Sequence, residues 1–295
     1  SRSHQLAPLN ADETSALPGA RSPLNVVLVM NSSSSAPGFF LPLASLCQRE
    51  IVRFLRQRSR VVGALGTPLV FWFLMGSGFG SSFRPASGAL ETGYLEYFFP
   101  GTVLMILLFT SIFSNISVIE ERREGFLLSV LVAPASRLSL VLGKILGVTT
   151  LAVLQGSLLL LLSPLLGIRI GWTQWPLLLA VVALIAVELT ALGFAFAWKL
   201  DSIQGFHALM NLLLLPMWLL SGALFPMSGA SSWVRAIMMI NPMTYAMSAL
   251  RQVLYLGSMN PIGDICSLTT AVAVTTLFGL GMIAVSVLLV SRKSL

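Results

Sequence analysis

Six apolar stretches of about 20 residues run through this 295-residue chain, each bounded by charged residues or by Gly and Pro. An α-helix needs about 20 mostly apolar residues to cross the hydrocarbon core of a bilayer. The sequence therefore predicts six transmembrane helices. They cover residues 61–80, 97–118, 138–162, 177–198, 205–224 and 268–290.

The scarcity of charge supports the same fold class. Only 10% of the residues are charged and 56% are hydrophobic, whereas soluble domains carry about 25% charged residues. A chain with so few charges cannot cover its surface in water, so lipid is expected to be its main solvent. We therefore expect an all-α membrane protein.

The basic residues that flank these stretches are distributed unequally, twelve on one side and four on the other. Lys and Arg gather in cytoplasmic loops, so the richer side is predicted to be cytoplasmic, with both termini on it. The net charge of +7 fits this bias and contact with anionic headgroups. It does not indicate a nucleic-acid partner, because no soluble basic domain is present.

Two segments precede the first apolar stretch. Residues 1–42, rich in Ser, Pro and Ala, predict a flexible tail. Residues 43–60 predict a basic amphipathic helix in the headgroup layer, with its arginines toward phosphates and its apolar face in acyl chains. A cytosolic helix is the alternative. The arginines on one face are Arg49, Arg53, Arg56 and Arg60, and the opposite stripe is Cys47, Ile51, Phe54 and Leu55.

The loop after the second stretch joins a charged cluster to a short apolar run that ends at Pro134. This run is too short to cross a bilayer. Beside charges on the cytoplasmic face, it indicates a docking element for another protein, or else a short helix resting on its own bundle. The candidate docking residues are Glu120, Glu121, Arg122, Arg123, Glu124, Gly125, Phe126 and Leu127.

The outer loop before the last stretch predicts two short helices with apolar faces, over 231–240 and 243–256, held against the outer membrane surface or dipping into it. Asn241 followed by Pro242 is a helix-start signal, because Asn caps the helix and Pro takes its first position.

Polar residues inside the stretches are candidates for a transport pathway. We expect Glu188 to face the bundle and to hydrogen-bond to a neighbouring helix, with a transport role as the alternative. Amides such as Asn115, Gln155 and Asn211 can also link helices. Aromatic and soft side chains on the second and fifth stretches suit an apolar pathway, although lipid-facing positions share this composition. The pathway candidates are Phe109, Phe113, Asn115, Met210, Asn211 and Met217.

No pattern of catalytic chemistry appears in the sequence. No GxxxxGK[ST] motif occurs, so the chain is not expected to bind ATP through a P-loop. The two histidines, His4 and His207, are far apart in sequence and form no acid/base dyad. We predict that the chain is no enzyme and binds no cofactor itself.

Two stretches carry a family resemblance. Residues 119–125 (IEERREG), with 131–137 (LVAPASR) and 142–144 (LGK), resemble the cytoplasmic loop of ABC-2 type transporter permeases. Residues 241–251 (NPMTYAMSALR) are similar to that family's near-terminal NP-x-T-Y signature. The resemblance extends from residue 43 to the C-terminus, with residues 61–295 as the six-helix transmembrane domain.

The resemblance implies a permease that pairs with a second copy and with two separate ATPase subunits, which would hold ATP and Mg. It implies a multi-pass protein of the inner membrane. Residues 120–132 would be the coupling helix, residues 43–60 the connecting helix, and the second and fifth spans the pathway lining. The outer helices would form a re-entrant lid that carries Asn241, Pro242, Thr244, Tyr245 and Arg251.

Export of an amphiphile, such as a drug, a lipid or a glycan-lipid, is the function that this resemblance and the apolar pathway together favour. A secondary transporter or channel without an ATPase is the alternative. It would be expected to carry several intramembrane charges and some internal repeat. The sequence has one such carboxylate, Glu188, and no visible repeat.

Overall fold

A computed structural model describes residues 39–79, 94–127, 136–256 and 266–292, and these residues form nine α-helices and no strand. Of the predicted tail, residues 1–38 lie outside the described part. The helices are α1 (Phe40–Arg56), α2 (Arg58–Phe79), α3 (Tyr94–Arg123), α4 (Arg137–Leu160), α5 (Trp175–Lys199), α6 (Ile203–Trp218), α7 (Ser232–Ile240), α8 (Pro242–Leu254) and α9 (Leu268–Arg292).

Six segments are long and apolar enough to cross a membrane, which confirms the predicted number among the described residues. They are α2, α3, α4, α5, α6 with its continuation to Ala223, and α9. The main difference lies in α3, which begins three residues before the predicted stretch and ends five residues after it. The charges from Glu120 to Arg123, expected in a loop, therefore lie in the last turns of α3.

The amphipathic helix lies nearer the N-terminus than the predicted segment 43–60. It begins at Phe40, so the last residues of the tail predicted over 1–42 are helical. Helix α1 ends at Arg56, because Gln57 adopts the non-helical angles φ −92° and ψ 77°. Helix α2 then begins at Arg58, so Arg60 belongs to the first spanning helix and not to the amphipathic one. The chain thus changes direction at Gln57, between two arginines.

Helix α1 packs along α4 at two glycines one turn apart. A Cβ added at Gly147 would lie 2.8 Å from the Cβ of Glu50 and 3.0 Å from the carbonyl oxygen of Cys47. A Cβ added at Gly143 would lie 3.0 Å from the Cβ of Leu46. Two glycines at this spacing let helix backbones approach closely. The apolar side of α1 is therefore partly covered by protein.

Helix α3 forms the centre of the bundle, and α2, α4, α5 and α6 pack around it. Hydrogen bonds donated by its side chains join it to two of these helices. Asn115 donates from Nδ2 to the carbonyl oxygen of Thr190 at 3.2 Å, and Thr110 donates from its hydroxyl to Oε1 of Gln155. The expectation that Asn115 and Gln155 link helices is confirmed. Asn211 instead lies exposed on α6.

The expectation for Glu188 is only half right. Its side chain is fully buried on α5, beside Gly279 of α9, whose added Cβ would lie 3.6 Å from the Cβ of Glu188. Neither carboxyl oxygen has a hydrogen-bond partner among the described residues. The predicted hydrogen bond from this carboxyl to a neighbouring helix is therefore wrong among the described residues.

Candidate functional site

A cluster of ionised side chains joins α1, α3 and α4 at the end of α3. We call it the charge cluster. Its members are Arg49, Glu50 and Arg53 of α1, Glu120 and Glu121 of α3, and Lys144 of α4. Among the described residues, the ion pairs of this cluster join three cations and three carboxylates.

The two arginines of α1 hold the end of α3. Arg53 donates from Nη1 to Oε1 of Glu121 and from Nη2 to Oε2 of Glu120, both at 2.8 Å. Arg49 places Nη2 3.3 Å from the same Oε1 of Glu121. Charge-assisted hydrogen bonds of this kind are the stronger ones in proteins. Helix α1 is thus fixed against the last turns of α3.

Lys144 closes the cluster from the side of α4. Its Nζ lies 2.5 Å from Oε2 of Glu121 and also pairs with Glu50. Ser117 donates from its hydroxyl to Oε2 of Glu50 at 3.0 Å. Lys144, Glu50 and Glu121 are all buried. Each needs its charged partners to offset the free-energy cost of losing its hydration.

These contacts correct the expectation for the amphipathic arginines. Arg49 and Arg53 were expected to face lipid phosphates, but both bind carboxylates of α3. Arg56 is exposed, and the side chain of Arg60 lies outside the described part. The reasoning on the sequence missed the role of Glu50, whose signal is a carboxylate within an otherwise basic helix.

The chain turns sharply after α3. Gly125 has φ +75°, a left-handed conformation that commonly ends helices and favours glycine. Arg49 stacks on the next residue, with its guanidinium carbon 3.4 Å from the ring centroid of Phe126. Leu127 is buried and Glu124 is exposed. Residues 128–135, which include the rest of the predicted docking run, lie outside the described part.

The other two basic residues of this region reach the connection between α5 and α6. Arg122 donates from Nη2 to Oδ1 of Asp201 at 2.6 Å and to the carbonyl oxygen of Leu200, and from Nη1 to the carbonyl oxygen of Trp198. Arg123 donates from Nε to the carbonyl oxygen of Asp201 at 2.9 Å. The end of α3 is therefore connected through charged side chains to three other helices, α1, α4 and α5, and to the connection between α5 and α6.

At its other end, α6 loses regular geometry. Leu219–Ala223 forms a π-type turn, and Gly222 has φ +86°. Such a helix end leaves carbonyl oxygens that need donors. Side chains of α8 and its cap supply three: Asn241 to Met217 at 2.6 Å, Thr244 to Leu220 at 3.3 Å, and Arg251 to Gly222 at 3.0 Å.

The same signature residues also begin α8. Asn241 accepts from the backbone N–H of Met243 at 3.1 Å and caps the helix, with Pro242 at the first helical position. Tyr245 donates from its hydroxyl to the carbonyl oxygen of Met239 at 2.8 Å and so ties α8 to α7. The predicted helix start is confirmed, and Asn241, Thr244 and Arg251 join α8 to the end of α6 while Tyr245 joins it to α7.

The six pathway candidates do not share one surface. Asn115 and Met210 are buried against other helices of the same chain, so they face no opening in this conformation. Met217 is half-buried. Phe109 and Phe113 are half-buried neighbours with ring centroids 5.6 Å apart, and only Asn211 is exposed among the six.

An open pocket of about 320 Å³ lies between α2, α3 and α6. Phe113 and His207 line it, with ring centroids 6.1 Å apart. Glu120 of the charge cluster lines it as well. Two of the pathway helices, α3 and α6, therefore frame an opening that reaches the charge cluster.

Helices of this length and composition define a multi-pass membrane protein. Residues 43–255 match the sequence profile of one protein family, the ABC-2 type transporter family. The chain belongs to this family.

Several curated proteins share this similarity. The chain is 28% identical over 233 residues to "Putative transport permease ycf38" of Cyanophora paradoxa, a match that covers 76% of this chain and 78% of that protein. It is 29% identical over 155 residues to "Inner membrane transport permease YhhJ" of Escherichia coli (strain K12), covering 52% and 41%. It is 25% identical over 242 residues to "Nodulation protein J" of Rhizobium leguminosarum bv. trifolii, covering 80% and 88%.

Proposed function

We propose that this chain is the permease subunit of an ABC exporter of the inner membrane. In this proposal two copies assemble with two separate ATPase subunits, which bind ATP and Mg. The observation that carries the proposal is the charge cluster, in which α1, α3 and α4 are joined next to the exposed Glu124. Membership of the chain in the ABC-2 type transporter family also supports the proposal.

The proposed topology follows from the distribution of basic residues. Twelve of the sixteen flanking Lys and Arg residues would lie on the cytoplasmic side, with the charge cluster and both termini. Helix α1 would then be the connecting helix at the inner surface. Its exposed Phe40 and Leu41 support contact with acyl chains there.

ATP-driven closure of the ATPase subunits would act on the end of α3 and the turn after it, with residues 120–132 as the proposed coupling element. Because Arg53 binds Glu120 and Glu121, and Lys144 binds Glu121, a displacement of this turn would move α1, α3 and α4 together. A ligand shifts a conformational equilibrium only through different affinities for the two states. ATP would supply that difference at the partner subunits.

Helices α7 and α8 would form the outer re-entrant lid. Backbone polar groups at membrane depth must be bonded within the protein. The hydrogen bonds from Asn241, Thr244 and Arg251 to carbonyls of α6 meet that requirement. The lid would therefore move with the end of α6 when the transporter opens outward.

The pathway would run between the two copies, along α3 and α6. Phe109 and Phe113 would give it apolar walls, and Asn211 would place an amide on it. An exposed amide on an apolar helix is costly against lipid, which favours contact with a second copy or a cargo. Such walls suit amphiphiles, such as drugs, lipids or glycan-lipids, moved out of the cytoplasm.

A secondary transporter or channel is the second candidate. Glu188 favours it, since its buried carboxyl has no hydrogen-bond partner among the described residues and intramembrane carboxylates often serve ion-driven transport. The family match favours the ABC assembly instead.

Purification of the tagged chain from its native membrane tests the proposal directly. A P-loop ATPase is expected to accompany it, and ATP is expected to drive a fluorescent lipid or drug across vesicles that contain both proteins. Glu124→Arg, at an exposed position, should weaken ATPase association, whereas Arg292→Gln, exposed at the end of α9, should not. Accumulation of cargo by the pure chain, driven by protons or sodium, would overturn the proposal in favour of the second candidate.

A further inference from the structure

An apolar groove lies on the bundle surface between α2 and α4, with Leu55 of α1 at one end. It has a volume of about 390 Å³, within the range of small-molecule sites. Along α4 it extends from residue 151 to residue 161, about 15 Å at the rise of an α-helix. Its walls include Val61 and Leu65 of α2 and Leu151, Leu154 and Leu158 of α4.

The groove offers almost no polar surface. Gln155 is one of its few polar residues, and its Oε1 accepts the hydroxyl of Thr110 inside the bundle. Leu154 and Leu158 are 61% and 55% exposed. The chemistry of the walls therefore fits a hydrocarbon chain.

Two arginines stand at the end where α1 meets α2. Arg56 directly follows Leu55, and Arg58 precedes Val61 by three residues. Both are exposed, and neither forms an ion pair with a described residue. The carboxylates Glu50, Glu120 and Glu121 already pair inside the charge cluster, which leaves the two exposed guanidinium groups accessible to an external anion.

We propose that the groove binds one acyl chain of an anionic glycerophospholipid, with its phosphate against Arg56 and Arg58. The site rests on the topology proposed above, in which this end of α2 lies at the inner headgroup layer. A second copy of the chain would have to bring carboxylates to Arg56 and Arg58, and the described carboxylates of the charge cluster are already occupied. A soluble partner is disfavoured, because the leucine-lined groove runs along two spanning helices and would face lipid.

The site gives the break at Gln57 a role. In the proposed site the single negative charge of the phosphate lies between the two arginines that flank the break, and the acyl chain fills the groove between α2 and α4. A bound lipid therefore braces the junction between α1 and the first spanning helix.

The test is lipid retention by the purified full chain, measured by native mass spectrometry without ATP or an ATPase. The probes are phosphatidylglycerol and phosphatidylcholine with identical acyl chains, added in equal amounts. Wild-type protein is expected to retain phosphatidylglycerol preferentially. Each basic residue near anionic lipid contributes about 1 kcal/mol, so Arg56→Gln with Arg58→Gln should weaken phosphatidylglycerol binding about 30-fold. Arg292→Gln is the control for charge.

Filling the groove tests the chain site separately. Leu154→Trp with Leu158→Trp should lower retention of both lipids, whereas Leu277→Trp, on the exposed face of α9, should not. Unchanged phosphatidylglycerol binding in either double variant overturns the site. Loss of the dimer without loss of lipid in the filled variant makes the groove an interface between copies and overturns it too. Because no ATPase is present, failure of the exporter proposal leaves this result unaffected.

Discussion

Arg251 donates from Nη2 to the carbonyl oxygen of Gly222 at 3.0 Å, where α6 ends. The hydroxyl of Tyr97 binds the same oxygen at 3.1 Å, and the Arg251 guanidinium lies 4.7 Å from the Tyr97 ring centroid. Three helices, α3, α6 and α8, thus meet at one backbone oxygen. The basic residue of the NP-x-T-Y signature is a structural donor in this chain.

Removal of this donor should destabilise the protein. Arg251→Met removes one of the two donors to this buried carbonyl oxygen, and a hydrogen bond from a charged group contributes about 1.5–3 kcal/mol. We expect a lower melting temperature in detergent by differential scanning fluorimetry. Arg235→Met, at an exposed position of α7, is the matched control. Equal melting temperatures for the two variants would show that Arg251 does not hold the end of α6.

The turn at Gly222 should tolerate no side chain. Its φ of +86° is left-handed, which costs an L-residue roughly 1–2 kcal/mol. We therefore expect Gly222→Ala to lower the melting temperature. Gly229→Ala, where an added Cβ meets no atom within 4 Å, should leave it nearly unchanged. A Gly222→Ala protein as stable as wild type would contradict the left-handed turn.

Lys144 should be the most sensitive member of the charge cluster. Lys144→Met leaves Glu50 and Glu121 buried beside fewer cations, and breaking a buried pair costs about 3–5 kcal/mol. The double variant with Glu50→Gln should lose less than the sum of the two single losses, because one stranded charge is gone. Melting temperatures of all four proteins give this comparison.

An exposed lysine provides the control for this double-mutant cycle of Lys144→Met and Glu50→Gln. Lys199→Met removes an exposed lysine at the end of α5 and should have little effect. Additive losses in the cycle would mean that Glu50 and Lys144 do not interact.

Alanine substitutions at Gly147 of α4 and at Gly66 of α2 should change the melting temperature in opposite directions. Gly147→Ala forces a Cβ to 2.8 Å from Glu50 and should separate α1 from α4. Gly66→Ala on α2 meets no atom within 4 Å and should stabilise its helix by about 0.5–1 kcal/mol. Opposite shifts in melting temperature are expected. Shifts of the same sign would mean that α1 does not pack at Gly147.

The spanning helices could be predicted because their signal is local. A run of about 20 apolar residues predicts a membrane-spanning helix by its length alone. Two neighbouring residues, Asn241 and Pro242, predict the start of α8. All six runs and this start were found in the sequence, with errors only at helix ends.

The charge cluster could not be predicted in the same way. Glu50 and Lys144 are 94 residues apart, and periodicity along one helix says nothing about its partner helix. The arginines of α1 fitted lipid phosphates and carboxylates equally well. Only the approach of α1 to Gly143 and Gly147 decides between them, since it brings Arg53 to the end of α3.

The buried carboxyl of Glu188 leads to the last prediction. Both of its oxygens lack a hydrogen-bond partner among the described residues, and burial of such a group costs about 1–3 kcal/mol. Glu188→Met has a similar volume and removes this cost, so the melting temperature should rise. Asn115→Leu provides the contrast, since it removes bonded donors to Ser111 and Thr190 and should lower it. A destabilised Glu188→Met protein would mean that the carboxyl binds a water or an ion, and loss of transport in a stabilised one would place Glu188 in the movement of cargo.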